Sequence, residues 1–434
     1  MATHHKDSVH QSSLLSLFTA GRGLQLLLLS AVMAAVMMAA TALTPLQESM
    51  RIALGLTDNE IGLLQGPVRT MPVMLGGIPL GLLVDRHSRL RLILVFCGLI
   101  MVGNLLTAVA SNFALLVVAR CLVGLLTPAV PAAMISMLSD LFPSEQRGRA
   151  FMFLSFGGIV GASSAFSLGG TLLTHYDLAP DGWRWTLCWL TIPLALVLLL
   201  AVAIREPART GVVVLKPSIR AAFIELWRYR AIIFALQIGM ILVGVVDTAA
   251  GIWALPALTR NFGVASEHVS NVIATAFLIS GIAGPAAGGF LADLCQRSGG
   301  PRRGIAVVSA LALLSAPAAL FALMPGLISA GALLVLFITL GSAIGLMGVS
   351  IAIVVIPNEV RGLYIAGLSA VTAFCTGFGP LLVSLLSGAM GGPLMMGKAL
   401  TLVCLVISLI GSVVLIFARR HFPDTYKTAA VHGS

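Results

Sequence analysis

Three ionisable residues lie far from the ends of long apolar stretches: Arg69, Arg120 and Asp247. On membrane-insertion scales a charged side chain at the centre of a helix costs about 2.5–3.5 kcal/mol, so each residue is expected to have a partner or a function. A guanidinium offers a planar fork of N–H donors that matches a carboxylate or a phosphate. The three residues therefore predict a site in which Arg69 and Arg120 bind an anionic group. Asp247 would lie opposite them as a counter-charge or a proton carrier.

Two polar residues complete the predicted substrate-binding set. Gln65 lies one helical turn before Arg69, and Thr127 shares one face of a helix with Arg120, because a helix repeats every 3.6 residues. Two other interpretations of the arginines stay open. Their charged heads could reach the outer headgroups while the stems remain in apolar surroundings, or they could form a structural salt bridge that closes the outer end.

The composition identifies the chain as a membrane protein. Of its 434 residues 58% are hydrophobic and 10% are charged, whereas soluble domains carry about 25% charged residues. Apolar runs of about 20 residues can cross a bilayer as helices. Twelve spans are predicted, at roughly residues 24–47, 60–83, 91–111, 113–140, 148–173, 184–204, 231–256, 269–292, 304–324, 328–356, 362–389 and 397–418.

The net charge of +10 is unevenly distributed. With the N-terminus inside, most of the Lys and Arg residues fall in inner loops and tails, and the outer loops hold only Arg51, Arg184, Arg260 and Lys398. This asymmetry follows the positive-inside rule and predicts both termini in the cytoplasm, with the protein integral to the plasma membrane. The basic charge thus orients the chain and does not indicate nucleic-acid binding. The polar N-terminal segment predicts no removable signal peptide.

The sequence contains no pattern for an enzyme, a metal or a cofactor. The six cysteines lie within or against apolar stretches, and none has a Cys-x-x-Cys spacing. A nucleophile triad and a phosphate-binding glycine loop are also missing from the sequence. We therefore expect no catalysis, no metal and no cofactor.

One polar motif occurs twice. Gly81-x-x-x-Asp85, between two apolar runs, recurs 208 residues later as Gly289-x-x-x-Asp293. Two further segments recur at nearly the same offset, 55–60 at 263–268 and 143–148 at 357–362. Membrane carriers are commonly built from such internal repeats. The chain is thus predicted to consist of an N-terminal six-helix bundle (1–204), a cytoplasmic linker with an interfacial helix (205–230) and a C-terminal six-helix bundle (231–434).

The repeated motif predicts a cytoplasmic gate. Asp85 is expected to meet the positive N-terminus of a second-half helix near Glu359 and Arg361, and Arg86 or Arg89 to pair with a carboxylate at the inner end of the fourth span. Alternatively, these arginines only determine the topology. The complete predicted gate comprises Gly81, Asp85, Arg86, Arg89, Asp140, Arg147, Asp293, Glu359 and Arg361.

The motif Gly81-x-x-x-Asp85-Arg86-x-x-Arg89 resembles the loop 2–3 signature of the major facilitator superfamily. Its pairing of an arginine with Asp140 is what the family implies. The segments 119–124, 138–148, 182–185 and 205–207 are similar to those of bacterial spinster-like members. Two departures are clear: the first span lacks the Asp-Arg pair, and Thr127 occupies the position of a glutamate seven residues after Arg120. Because those acids are the family's proton carriers, proton coupling stays open.

The resemblance implies a secondary active transporter that works by alternating access around a central site. The expected substrate is a small amphipathic or anionic organic solute, with a lysolipid among the candidates. The expected partners are that solute, membrane lipids and possible coupling protons, and the chain is expected to be a monomer. A multidrug exporter, and a lipid scramblase without alternating access, are the alternatives.

Overall fold

The structure is a computed structural model that describes residues 21–176, 181–201, 204, 206, 207, 227, 230–356 and 358–422. The described chain is helical and contains no strand, which is the expected outcome where lipid offers no partner to an open backbone. The helices are α1 (Arg22–Thr41), α2 (Leu43–Ala53), α3 (Asp58–Gln65), α4 (Pro67–Arg86), α5 (Arg89–Val109), α6 (Phe113–Leu126), α7 (Ala129–Leu141), α8 (Ser144–Tyr176), α9 (Gly182–Ala201), α10 (Arg230–Phe262), α11 (Ser266–Ser298), α12 (Gly300–Ala318), α13 (Leu327–Val355), α14 (Asn358–Thr376), α15 (Phe378–Ala389) and α16 (Met396–Ala418).

The helices account for eleven or twelve membrane spans. Eleven helical segments of the described chain are long and apolar enough to cross a membrane. A twelfth is obtained if Asp58–Gly77 and Pro79–Arg86, which are bent by 52° relative to each other, count as one span. Pro72 and Pro79 lie inside α4, and a helix bends where proline removes a backbone hydrogen bond. The predicted all-helical membrane fold is confirmed.

The helix starts follow the local sequence. Thr57 and Glu60 form a capping box at the start of α3, in which each side chain accepts from the other residue's backbone N–H. Asn112 caps α6 in the same way, through a bond from Leu115 N to its side-chain oxygen. The fifth predicted span, 148–173, corresponds to α8, which begins earlier, at Ser144.

Small residues allow the closest helix contacts. A Cβ atom on Gly161 of α8 would lie 1.9 Å from the carbonyl oxygen of Ala34 in α1, and one on Gly157 would lie 2.4 Å from that of Ser30. Only glycine allows the two backbones to come this close, as expected for membrane helices that pack through small residues. The contact runs over more than one turn, so α1 and α8 form a tightly joined pair.

The buried apolar residues form three clusters. One is confined to the first half, from Leu26 to Ile204. A second is confined to the second half, from Leu236 to Phe422. The third and largest, which we call the shared core, contains residues of both halves, among them Leu46, Phe166, Trp253 and Val269.

The three clusters divide the molecule into two ends. We name them by residues that lie there: the Arg260 end, where the shared core lies, and the Asp85 end, where each half has a core of its own. The two halves meet along α8 and α11, along α3 and α15, and along α4 and α14. The bundle boundaries at 205 and 230 stay a prediction, because most of that linker lies outside the described residues.

Candidate functional site

Arg120 is the most deeply buried charged group of the described chain. It lies on α6 with 0% of its surface exposed. Its Nη1 donates a long hydrogen bond of 3.5 Å to Asn104 Oδ1, whereas its Nε and Nη2 have no partner. Because the side chain is enclosed by protein, the interpretation that Arg120 reaches out to the headgroups is wrong.

Among the described residues, the side-chain oxygen of Asn104 is the one hydrogen-bond acceptor of Arg120. The amide nitrogen of Asn104 donates to Ala39 O at 2.9 Å and to Thr191 Oγ1 at 3.5 Å. These bonds turn the amide oxygen toward Arg120 and join α1, α5, α6 and α9 at one point. The fold therefore holds the guanidinium in place while leaving most of its donors unused.

Arg69 lies beside Arg120 because α4 and α6 cross at Gly124. A Cβ atom on Gly124 would lie 2.1 Å from the carbonyl oxygen of Arg69, and Gly124 is one turn from Arg120. The positive charges of the two arginines act on each other. Neither guanidinium forms an ion pair with a described carboxylate. Two neighbouring, uncompensated cations are an arrangement that an anion would stabilise.

Gln65 extends this polar group toward the second half. Its Nε2 donates to Gln47 Oε1 at 3.1 Å, and Gln47 Nε2 donates to Ile252 O of α10 at 2.6 Å. The Oε1 atom of Gln65 is buried and has no partner. Unlike the amide oxygen of Gln65, the hydroxyl of Thr127 has a hydrogen-bond partner, because it donates to Val123 O at 2.7 Å.

Asp247 lies on α10 against α13. A Cβ atom on Gly341 would lie 2.3 Å from Asp247 Oδ1, so the carboxylate occupies the space that this glycine leaves. No hydrogen bond or ion pair of this carboxylate is found among the described residues. The structure thus does not bring Asp247 into contact with Arg69 or Arg120 as the expected counter-charge.

An ionic cluster joins the two halves at the Arg260 end, and we call it the lock. Arg260 of α10 contacts Glu48 Oε2 through Nη2 at 2.6 Å and Asp58 through both terminal nitrogens at 2.8 Å. Arg51 contacts the same carboxylates, with Nη2 2.8 Å from Glu48 Oε1 and Nε 3.5 Å from Asp58 Oδ1. With Arg260 only 11% exposed, the lock is a partly desolvated bridge between the halves. Neither Arg69 nor Arg120 takes part in the lock or in another ion pair of the described residues, so the structure does not support the alternative that they close the outer end by a salt bridge.

A second cluster, the clamp, lies at the Asp85 end within the first half. Arg89 is 2% exposed and donates to Asp140 Oδ2, to Ser136 O at 3.0 Å and to Pro207 O at 3.2 Å. Its Nε lies 3.3 Å from Glu206 Oε1. Of the two arginines expected to meet Asp140, the structure pairs Arg89.

Glu206 makes the clamp a three-way junction. Its carboxylate accepts from Ser88 Oγ and, at 2.8 Å, from Arg89 N. Burial alone would raise the pKa of Glu206, but the hydrogen bonds from Ser88 and Arg89 and the charge of Arg89 lower it overall. The segment after α9 is therefore tied to the start of α5.

The remaining predicted gate residues are not brought together by a described contact. Asp85, Arg86 and Asp293 are exposed, a Cβ atom on Gly81 would meet open space, and Arg147 donates to Phe142 O at 3.1 Å. The side chains of Glu359 and Arg361 lie outside the described part of the chain. The latch between Asp85 and the start of α14 stays a prediction.

Sequence reasoning missed Glu48, Asp58 and Glu206 as site residues. Glu48 lies one turn before Arg51, and Asp58 follows the cap residue Thr57. Because the outer loops hold few basic residues, these two acids near Arg51 could have suggested an ionic cluster. The partner across the two halves, Arg260, is 202 residues from Asp58 and carries no local signal. For Glu206, the one signal in the sequence is the similarity of the segment 205–207 to that of spinster-like members.

We predict that Glu206→Gln weakens the clamp. Losing the charge-assisted bonds to Ser88 and Arg89 should reduce the free energy of unfolding by about 1–3 kcal/mol near neutral pH. Because the folded-state pKa is lowered, this contribution is present above the ordinary glutamate pKa of about 4.3 and disappears as the pH falls below it. Thermal unfolding of both proteins in detergent between about pH 3 and pH 8 measures the effect and covers the range in which the contribution is lost.

Asp293→Asn is the matched control, since Asp293 is the exposed second-half counterpart of Asp85. It should leave the unfolding temperature within error of the wild type. Equal stability of Glu206→Gln and the wild type at pH 7 would contradict the clamp.

Comparisons with known proteins identify the family of the chain. The family model described as Major Facilitator Superfamily matches residues 26–253. The glucose transporter GlcP of Staphylococcus epidermidis is 29% identical over 119 residues, which are 27% of this chain and 25% of the relative. Human protein spinster homolog 1 is 30% identical over 161 residues, 36% of this chain and 29% of the relative. The matched segments thus span about a quarter to a third of these relatives' length.

A solved structure covers nearly the whole chain. It is that of a bacterial homolog to the human lysosomal transporter spinster, in an inward-facing and unoccupied conformation. The TM-score is 0.76 with 19% sequence identity, and the alignment covers 95% of this chain and 98% of the other. The family match over more than half of the sequence and the fold match over nearly all of it agree: this chain belongs to the Major Facilitator Superfamily and resembles spinster-like transporters.

Proposed function

We propose that this protein is a secondary active transporter that moves an anionic, amphipathic organic solute by alternating access. The observation that carries the proposal is the buried guanidinium of Arg120, with two unpartnered nitrogens, Nε and Nη2, next to the second cation Arg69. An uncompensated buried cation is costly for a fold. It is retained where a ligand supplies the missing negative charge.

The small number of polar groups in the site limits the chemical class of the substrate. The membrane-embedded part of the site offers two guanidiniums, the free oxygen of Gln65 and little other polar chemistry. A sugar would require many amides and hydroxyls, whereas one carboxylate or phosphate on an apolar body would satisfy this set. An organic acid and a lysolipid both have this form.

The proposed state of the molecule is closed outside and open inside. The positive-inside rule assigns the Asp85 end to the cytoplasm and the Arg260 end to the outside. The lock and the shared core join the halves at the Arg260 end, while the cores at the Asp85 end are separate. The similarity to a structure titled inward-facing supports the same assignment.

We further propose that Asp247 is the coupling site. It is the acidic residue deep in α10, and its carboxylate has no cationic partner among the described residues. The first span and the position of Thr127 lack the acids that the family uses, so Asp247 would have to carry the proton alone. Protonation would neutralise a charge that no described residue compensates.

The transport proposal predicts saturable counterflow that depends on Arg120. Proteoliposomes preloaded with a substrate identified by thermal-shift screening should show trans-stimulation, which a scramblase without alternating access would not. Arg120→Met, which removes the charge at similar volume, should weaken substrate binding at least tenfold, the value of one charge-assisted hydrogen bond. Arg120→Lys should restore it only in part, because an ammonium lacks the planar fork.

Lys398→Met serves as the control, since it removes an exposed positive charge at the Arg260 end. Unchanged affinity in Arg120→Met would contradict the anion site. Flux without saturation or trans-stimulation would favour the scramblase, and binding of many unrelated cationic drugs would favour the multidrug exporter.

The coupling proposal predicts that an imposed pH gradient drives accumulation in the wild type. In Asp247→Asn the gradient should have no effect, while counterflow exchange is retained because the substrate still binds. Uptake into proteoliposomes with and without the gradient measures both. Wild-type uptake that does not respond to the gradient would refute the coupling proposal and indicate a facilitator or an exchanger.

The lock is predicted to favour the inward-open state over the outward-open state. Arg260→Gln should release Glu48 and Asp58, which keep their contacts with Arg51, from the second half. The population should then shift toward an outward-open state, about tenfold or more if 1.5–3 kcal/mol of charged hydrogen bonding is lost. The readout is alkylation of Gln65→Cys, on a background without the native cysteines, by a membrane-impermeant maleimide added from the Arg260 side. Arg184→Gln is the control, because Arg184 pairs with Asp181 within the first half. Equal labelling rates for all three proteins would refute the gating role.

A further inference from the structure

A groove opens between α12 and α16, on the side of the second half away from Arg69 and Arg120. It has a volume of about 210 Å³ and is lined by Ala306, Ser309, Ala310, Leu313, Ser412, Ile416 and Arg419. Six of its seven lining residues are small or apolar. The seventh, Arg419, is exposed at the Asp85 end of α16.

The floor of the groove is closed and its walls face the membrane. Ser412 Oγ donates to Ser309 O at 3.0 Å, and both serines are buried, so the two helices are joined beneath the groove. Leu313 is 51% exposed and Ile416 is 52% exposed, as expected for walls in contact with lipid. From Ala306 to Leu313 the groove extends about 10 Å along α12, at 1.5 Å per residue. A chain-like apolar group fits this shape.

The mouth of the groove is basic. Arg419 lies one turn beyond Ile416, and Arg302 lies one turn before Ala306 on the same face of α12. The next residue, Arg420, has its guanidinium carbon 5.9 Å from the ring centre of Phe417. The groove thus presents a hydrophobic channel whose lining ends at the exposed guanidinium of Arg419.

We propose that this groove is a specific site for an anionic phospholipid, separate from the transport site. One acyl chain lies along Ala306, Ala310 and Leu313, and the phosphate contacts Arg419. Basic pockets between membrane helices bind anionic headgroups, with each basic residue near the surface contributing about 1 kcal/mol. The occupant is a whole lipid because the apolar channel and the basic mouth are continuous.

Native mass spectrometry of the full chain in detergent tests the proposal. The protein is titrated with phosphatidylglycerol, with phosphatidylcholine of the same acyl chains, and with glycerol phosphate as the headgroup alone. The wild type should bind the first phosphatidylglycerol at least fivefold more tightly than phosphatidylcholine. Glycerol phosphate should not compete, since it lacks the chain.

Three variants separate the contributions. Arg419→Ala should weaken phosphatidylglycerol binding about fivefold, equivalent to ~1 kcal/mol, without affecting phosphatidylcholine, and Arg419→Lys should restore it. Ala310→Phe fills the groove and should weaken both lipids. Arg22→Ala, which removes an exposed arginine at the same end of the first half, should change neither.

The result that overturns the proposal is a wild type without preference for the anionic lipid, or an Arg419→Ala protein that keeps it. Competition by glycerol phosphate as strong as by the lipid would instead indicate a headgroup-only site and would also refute it. If Ala310→Phe fails to fold, the Arg419→Ala and Arg419→Lys pair still decides. Arg120→Met should bind the lipid like the wild type, so failure here is distinguishable from failure of the transport proposal.

Discussion

The attachment of the two halves at the Arg260 end is the constraint on which the rest of the structure depends. There the apolar side chains of both halves are buried together in the shared core, and the lock places Arg260 between Glu48 and Asp58. The apolar contact holds the halves together, while the ion pairs fix their relative position. Partly buried ion pairs gain little net stability over hydrated charges. A junction of this kind can therefore open without a large loss, which is what the proposed transport cycle requires.

The first half, by contrast, is tightly joined internally. In the first half, α1 and α8 touch backbone to backbone at Gly161, and the clamp ties α5, α7 and the segment after α9 through Arg89. Close-packed interiors of this kind resist continuous deformation and favour movement between discrete arrangements. Rigid halves and a separable junction are together the mechanical requirements of a rocking mechanism.

The candidate site illustrates how a membrane fold can hold an unbalanced charge. Arg120 is fully buried and supported by Asn104, but it is not neutralised by any described carboxylate. Asp247, which could have been its partner, lies instead against Gly341 in the other half. The two opposite charges therefore remain separately available, one for an anionic ligand and the other for a coupling ion in the proposed cycle.

The sequence by itself determined the fold class, the helix starts and the identity of the unusual charged residues. These follow from local properties: apolar runs of membrane length, the Thr57–Glu60 cap, and the cost of placing Arg120 or Asp247 in an apolar stretch. The tertiary structure decided which of these residues have partners. The burial of Arg120, the choice of Arg89 over Arg86 for Asp140, and the bridge from Asp58 to Arg260 all depend on helix rotation and on contacts between residues far apart in the chain. Residue type and spacing along one helix carry no record of such contacts, because the same hydrophobic pattern is compatible with many relative positions of neighbouring helices.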